Sequence, residues 1–134
     1  MLACADIEEG VVLRRAGLTL PILVFGALSV SDVEGVIDYA LTPTVSTPAA
    51  ARALERTAAG RGVTLRCHLK IDTGMNRLGF RHDNLRRTMP EVLASPHLTF
   101  DAVYTHFATA DEPESSFLDE QVTRVERALA ALGA

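Results

Sequence analysis

The stretch HLKIDTGMNRLGF, residues 68–80, begins as a β-strand and breaks into a turn that contains glycine. Because alternate side chains of a strand share a face, His68, Lys70 and Asp72 point one way, and the leucine and isoleucine between them point toward the helix layer. Strands of a parallel α/β sheet are normally apolar on both faces, and a buried charge is costly unless it is paired. Three ionisable groups near the carboxyl end of one strand therefore indicate a functional site, since α/β folds place their sites there.

Strands and helices alternate along the rest of the chain. Apolar, β-rich runs are followed by segments that begin at capping residues such as Asp6 and Thr47 and stop near glycine. The predicted strands cover residues 2–5, 21–25, 41–45, 64–72 and 98–107, and the predicted helices cover residues 7–16, 31–40, 48–59, 82–94 and 115–132. This order predicts an α/β fold of about five consecutive parallel βα units joined by right-handed crossovers. Periodicity alone leaves open whether the sheet is open or part of a barrel.

Three features qualify this assignment. Pro43 weakens the strand at 41–45, and Pro90 predicts a break or kink in the helix at 82–94. The last helix is amphipathic, with an apolar stripe that includes Phe117 and Val122, and we interpret it as a helix packed on the outside of the sheet.

Composition limits the class of protein. The 134 residues are 48% apolar and 22% charged, which is typical of a soluble globular chain and predicts one domain, residues 1–134. The net charge of −4 gives no support to nucleic-acid binding, and no apolar run is long enough to cross a membrane. The first residues lack the basic start of a signal peptide. Cys4 and Cys67 form neither a disulfide framework nor a metal motif, so we expect no metal and a cytoplasmic chain with reduced thiols.

The basic residues are almost all arginine. Of the 13 basic side chains twelve are arginine, and Lys70 is the single lysine. It could form a structural ion pair with Asp72, or it could belong to a site together with Arg77, whose planar fork of donors suits an oxyanion.

A second candidate segment is YTHFATAD, residues 104–111. His106 ends a predicted strand, where a histidine is either a satisfied structural residue or part of a site. Asp111 is read as the cap of the next helix or as an ordinary loop acid.

These segments resemble a known family. HLKIDTGMNRLGF resembles the H-x-K-x-D-T-G-M-x-R-L-G-F segment of alanine racemases, and YTHFATAD with a glutamine in the following helix resembles a second segment of the same enzymes. The resemblance runs along nearly the whole chain. It implies an N-terminal (β/α)8 barrel that binds pyridoxal 5'-phosphate, followed in the family by a β-rich domain. Such enzymes are homodimers that interconvert L- and D-alanine for peptidoglycan synthesis.

The resemblance also assigns roles to residues. Arg77 matches the arginine that donates to the phenolic oxygen of the cofactor, Lys70 matches a lysine that is often carbamylated and holds this arginine, and His106 matches a histidine beside the cofactor. A carbamylated lysine is an anion and can pair with Arg77 instead of repelling it. Only an amine can be modified in this way, which explains a lysine in an arginine-rich chain.

The chain also departs from the family. The motif of the Schiff-base lysine, the tyrosine base and the C-terminal β-domain are absent, so we expect an internal piece of the barrel, about half to two-thirds of one, that is inactive in isolation. Two alternatives remain open. The chain could come from another barrel enzyme of this cofactor, a broad-specificity amino-acid racemase or a D-amino-acid dehydratase, or it could be a partial barrel without catalytic function.

Overall fold

The computed structural model describes residues 1–28, 33–112 and 114–133. Strands and helices alternate, with one very short extra strand. The strands are β1 (Leu2–Cys4), β2 (Ile22–Val24), β3 (Thr42–Val45), β4 (Leu65–Asp72), β5 (Phe80–Arg81) and β6 (Leu98–Tyr104). The helices are α1 (Ile7–Arg15), α2 (Val33–Asp38), α3 (Pro48–Arg61), α4 (Leu85–Leu93) and α5 (Phe117–Leu132).

All strand pairs are parallel, and the main strands lie side by side in chain order. β1 pairs with β2, β2 with β3, β3 with β4, and β4 with both β5 and β6. In the longest pairing Leu65 lies opposite Leu98 and Lys70 lies opposite Tyr104. The predicted five parallel βα units are therefore confirmed. The strand β5 was not predicted, because two residues are too few to show a periodicity.

The helices cover one face of the sheet. Each helix contacts the next one along the chain, from α1 to α5. In a doubly wound sheet, successive helices lie on both faces, whereas in a (β/α)8 barrel they form a single outer layer. Buried Val45, Leu54, Leu69 and Ile71 belong to the core between this layer and the strands. The fold is thus a partial (β/α)8 barrel, as the family resemblance implied.

The helix boundaries follow from local chemistry. The Asp6 carboxylate accepts a hydrogen bond from the Glu9 N–H at 2.8 Å, and the Thr47 hydroxyl accepts one from Ala50 at 3.1 Å, so both predicted caps are confirmed. The predicted end of α3 at Gly60 is wrong. The helix continues to Arg61 and ends at Gly62, whose φ of 63° is the left-handed conformation that closes helices. The predicted start of α2 at residues 31 and 32 lies outside the described residues.

Neither proline interrupts its element. Thr42 and Pro43 pair with β2, whereas Thr44 and Val45 pair with β4, so Pro43 lies at the point where the pairing changes sides. Pro90 lies inside the helix α4, which continues past it to Leu93. The predicted break at Pro90 is therefore wrong.

No helix in the described part of the chain combines the length and the apolar character that a membrane span requires.

Candidate active site

The three predicted site residues line one cleft at the carboxyl ends of the strands. Lys70 comes from β4, Arg77 from the loop that follows β4, and His106 from the segment after β6. The cleft has a volume of about 610 Å³, and its other walls include Leu23, Phe25 and Tyr104. Parallel pairing of β4 with β6 brings their carboxyl ends together, which explains how residues about thirty positions apart in sequence share one cleft.

Lys70 is a buried cation. Its side chain is 6% exposed, and its Nζ atom lies 4.6 Å from the centre of the Tyr104 ring. Burial lowers the pKa of the Lys70 ammonium, the charge of Arg77 lowers it further, and Asp72 opposes part of this effect. The neutral amine is therefore easier to form here than on a solvated lysine.

Asp72 does not form the ion pair that was considered for it. Within the described residues no salt bridge joins it to Lys70, and its Oδ1 atom accepts hydrogen bonds from the N–H groups of Gly74 and Asn76, each at 3.0 Å. Asp72 also lines a neighbouring cleft rather than the one that holds Lys70. Because β4 ends at this residue, its carboxylate shapes the following turn instead of extending the charged face of the strand.

Two glycines fix the loop that carries Arg77. Gly74 has a φ of 147°, and a Cβ atom there would lie 2.4 Å from the ring of Phe117 on α5. Gly79 has a φ of 125°, and its Cβ would lie 2.7 Å from the backbone nitrogen of Asp72. Both positions exclude larger residues, so the loop folds tightly onto the end of β4.

Arg77 extends from this loop toward solvent. It is exposed, and it lines both the cleft of Lys70 and the neighbouring cleft of Asp72. No hydrogen bond from its guanidinium to another described residue is present. Because Arg77 lines the cleft, its planar fork of donors could bind an oxyanion there.

His106 lies just beyond β6, which ends at Tyr104 rather than at residue 107 as predicted. Its ring is exposed and lines the cleft, whereas its backbone carbonyl accepts a hydrogen bond from the amide of Gln121 at 3.1 Å. Asp111 lies in a turn well before α5 begins at Phe117, so it is a loop acid and not the cap of that helix.

Two residues that support Lys70 were not predicted from the sequence. The Tyr104 ring contacts the ammonium group, and its hydroxyl forms a hydrogen bond of 2.8 Å with the Thr44 hydroxyl on β3. Burial raises the pKa of Tyr104, and the bond to Thr44 opposes this, so the phenol stays neutral. These contacts depend on the register of three strands, which the sequence pattern does not reveal.

The predicted apolar stripe of α5 is partly wrong. Val122 is 40% exposed, whereas Gln121 is 0% exposed and Ala128 is 2% exposed. A buried glutamine is uncommon, and its only signal in the sequence is its place in the second family-like segment.

The cleft combines apolar walls with two cationic side chains and an imidazole. Such a lining suits a flat, partly apolar ligand that carries an anionic oxygen. Parallel strands in chain order, a single helix layer and polar groups at the carboxyl ends of the strands define the class of this protein as a barrel-type α/β domain.

Comparison with known proteins then identifies the family. The family model described as "Alanine racemase, N-terminal domain" matches residues 1–134. The alanine racemase of Symbiobacterium thermophilum is 40% identical over 133 residues, which cover 99% of this chain and 35% of that protein. The chain therefore belongs to the alanine racemase N-terminal domain family, as its sequence motifs suggested.

Solved structures agree. The alanine racemase of Clostridium difficile 630 has a TM-score of 0.92 at 31% identity, covering 98% of this chain and 35% of that one. A histidine racemase from Leuconostoc mesenteroides has a TM-score of 0.84 at 34% identity, covering 94% of this chain and 34% of that one. The chain spans about a third of the length of the curated relatives it matches.

Proposed function

We propose that residues 1–134 supply one wall of the active site of an alanine racemase, which interconverts L- and D-alanine. One observation supports this most: Lys70, Arg77 and His106, which come from two separate segments, line a single cleft at the carboxyl ends of β4 and β6. The relatives named above are amino-acid racemases. The proposal treats residues 1–134 as an internal piece of the N-terminal barrel domain of a cytoplasmic homodimeric enzyme that serves peptidoglycan synthesis.

The cleft fits one side of pyridoxal 5'-phosphate. Arg77 lines the cleft with donors that could bind the phenolic oxygen, His106 could lie beside the ring, and Leu23 and Phe25 offer apolar surface. When bound, this cofactor supplies the electron-withdrawing ring that makes the α-hydrogen of an amino acid acidic. The lysine that carries the cofactor in the family has no counterpart here, since Lys70 is buried beside Arg77 and matches a different position.

Lys70 is proposed to act on Arg77 and not on the substrate. As an ammonium group it is buried within the field of the Arg77 guanidinium, and both effects lower its pKa. Reaction of the neutral amine with carbon dioxide gives a carbamate and releases a proton. The resulting anion removes the repulsion and can hold the guanidinium in place by a charge-assisted hydrogen bond.

A second candidate function is racemisation of a larger amino acid. The solved histidine racemase matches this chain about as closely as the alanine racemases do. In the proposed arrangement, the part of the cleft formed by this chain would face the cofactor ring rather than the side chain of a substrate, so both substrates are compatible with it. A panel of L-amino acids in the assay below distinguishes them.

The test of the proposal uses a chimera. Residues 1–134 replace the matching third of the Symbiobacterium thermophilum alanine racemase, and formation of D-alanine is measured with added pyridoxal 5'-phosphate. We expect Lys70→Ala and Arg77→Ala each to lower kcat/KM by about tenfold or more, because each removes part of the same electrostatic contact. The double variant should lose much less than the product of the two factors, since each residue acts through the other.

Two controls accompany this experiment. Arg81→Ala removes an exposed arginine that pairs with Asp83, and it should leave kcat/KM nearly unchanged. Residues 1–134 by themselves should show no turnover, because they contain no second lysine to carry the cofactor. Fully multiplicative losses in the Lys70 and Arg77 variants would contradict the positioning role, and an inactive chimera that folds and binds the cofactor would contradict the proposed reaction.

A further inference from the structure

Gln121 is a buried amide next to the candidate site. It lies on α5, is 0% exposed, and is surrounded by residues that follow the carboxyl ends of β4 and β6. An amide has an acceptor oxygen and a two-hydrogen donor, and a buried polar group is costly unless its hydrogen bonds are formed. The contacts of Gln121 therefore show what this buried group does.

Every polar group of this side chain has a partner. The Nε2 atom donates to the Thr73 hydroxyl at 3.0 Å and to the His106 carbonyl oxygen at 3.1 Å. The Oε1 atom accepts from the Ala108 N–H at 2.8 Å. Thr73 directly follows β4, and His106 and Ala108 lie in the segment that follows β6. One side chain thus joins the two segments that carry the candidate site.

Two further hydrogen bonds to Thr73 strengthen the connection between the two segments. The hydroxyls of Thr73 and Thr105 are 2.8 Å apart, and Arg124, one turn further along α5, donates to the Thr73 carbonyl oxygen at 2.7 Å. Thr73 is 0% exposed. It begins the loop that leads to Arg77, so its position sets where that loop leaves the sheet.

We propose that Gln121 is a positioning residue that sets the distance between the Arg77 loop and His106. This inference rests on the proposed function, because the two segments need a fixed spacing only if they act on one ligand. An amide is required at this position. A glutamate would keep the bond from Ala108, but it would lose both donated bonds and place an anionic oxygen against the His106 carbonyl.

Amide hydrogen exchange of the 134-residue chain tests the geometry. In Gln121→Met, which preserves the volume but removes the bonds, the amides of Gly74, Asn76 and Ala108 should exchange about tenfold faster or more, the change expected for loss of a buried hydrogen bond. In Gln121→Glu the Ala108 amide should stay protected, while those of Gly74 and Asn76 should exchange faster. Ala128→Gly serves as the control, because it weakens the same helix at another buried position whose side chain carries no hydrogen-bonding group.

The comparison is made at equal thermal stability. The proposal would be contradicted if Gln121→Met and Ala128→Gly showed the same increase in exchange at the same loss of melting temperature. Loss of Ala108 protection in Gln121→Glu would also contradict it. In the chimera, Gln121→Met should lower kcat and shift the absorption of the bound cofactor, and Ala128→Gly should do neither. Because the exchange experiment needs no activity, failure of the proposed reaction and failure of this positioning role give different results.

Discussion

Lys70 shows how one residue can conflict with its surroundings. It is the single lysine of the chain, it is 6% exposed, and it stacks on Tyr104 instead of forming an ion pair within the described residues. A cation in this environment is costly, because burial and the charge of Arg77 both disfavour it. Modification to an anion is one way in which the same side chain can become favourable there.

The charge of Lys70 predicts a response to pH and to carbon dioxide. The pKa of Lys70 in the folded chain lies below its ordinary value of 10.5. At a pH between these two pKa values, Lys70 is protonated in the unfolded chain and has lost its proton in the folded chain. The free energy of unfolding should therefore gain a contribution that grows as pH rises through this window, and the gain should be absent in Lys70→Met.

The carbamate hypothesis adds a second measurement. Bicarbonate should raise the melting temperature of the wild-type chain more than chloride at equal ionic strength, and isotope-labelled bicarbonate should give a carbamate signal. An equal response in Lys70→Met would assign the effect to other groups and would contradict modification of Lys70.

At the scale of the elements, the side chain of Arg14 joins α1 to two neighbouring segments. Arg14, near the end of α1, donates from Nε to the Tyr39 carbonyl oxygen at 2.9 Å and from its terminal nitrogens to the carbonyl oxygens of Leu18, Leu20 and Ala40 at 2.8, 2.7 and 2.9 Å. These acceptors lie at the end of α2 and in the segment before β2, where the backbone lacks regular partners. One guanidinium therefore fixes how two βα units meet.

Substitution of Arg14 tests this role. Arg14→Ala should lower the free energy of unfolding by about 1.5–3 kcal/mol, the range for hydrogen bonds to a charged group. Arg14→Lys should restore little of it, because an ammonium group cannot match the planar fork. Denaturant unfolding measures the change, with Arg15→Ala as the control, since the side chain of this exposed neighbour donates one hydrogen bond within the described residues, to the Tyr39 hydroxyl. Equal losses for both variants would show that Arg14 contributes no more than a surface charge.

At the scale of the whole molecule, the described strands form a sheet with two free edges. Apart from the two-residue strand β5, which pairs with the end of β4, the strands follow in the order β1, β2, β3, β4 and β6, so β1 and β6 are the outer long strands of the described sheet. The core lies between the strands and the single helix layer and extends from Cys4 to Ala128. Strand β4 pairs with β3, β5 and β6, and it carries both buried core residues and Lys70.

The thiol of Cys67 should report on the unfolding of this core. Cys67 is 0% exposed, and burial, with a smaller effect of Asp101, raises its pKa to about 12. At neutral pH its reaction with a thiol reagent should be slower than that of a free cysteine by about a thousandfold or more. In a Cys4→Ser background, the rate should rise with denaturant in parallel with the loss of helical signal.

A matched variant completes this measurement. Val63→Cys in a chain without other cysteines places a thiol at an exposed position just before β4, and this thiol should react rapidly in the folded state. Fast labelling of Cys67 under native conditions would show that β4 opens independently and that the sheet does not unfold as one unit.

Much of this protein could be predicted from the sequence. Alternating β-rich and amphipathic segments indicated five parallel βα units, capping residues such as Asp6 and Thr47 gave the helix starts, and period-two charge singled out Lys70. These features are local, because capping and periodicity depend on residues a few positions apart. The family-like segments added Arg77 and His106.

Tertiary structure decided the contacts between distant segments. The register of β3, β4 and β6 places Tyr104 under Lys70 and Thr44 beside Tyr104. The packing of α5 buries Gln121 where an apolar pattern favoured its neighbour Val122. The carboxylate of Asp72 turns to its own loop instead of pairing with Lys70. Such outcomes depend on which hydrogen-bonding partners become available when strands and helices pack, and partners that are distant in sequence leave no local pattern.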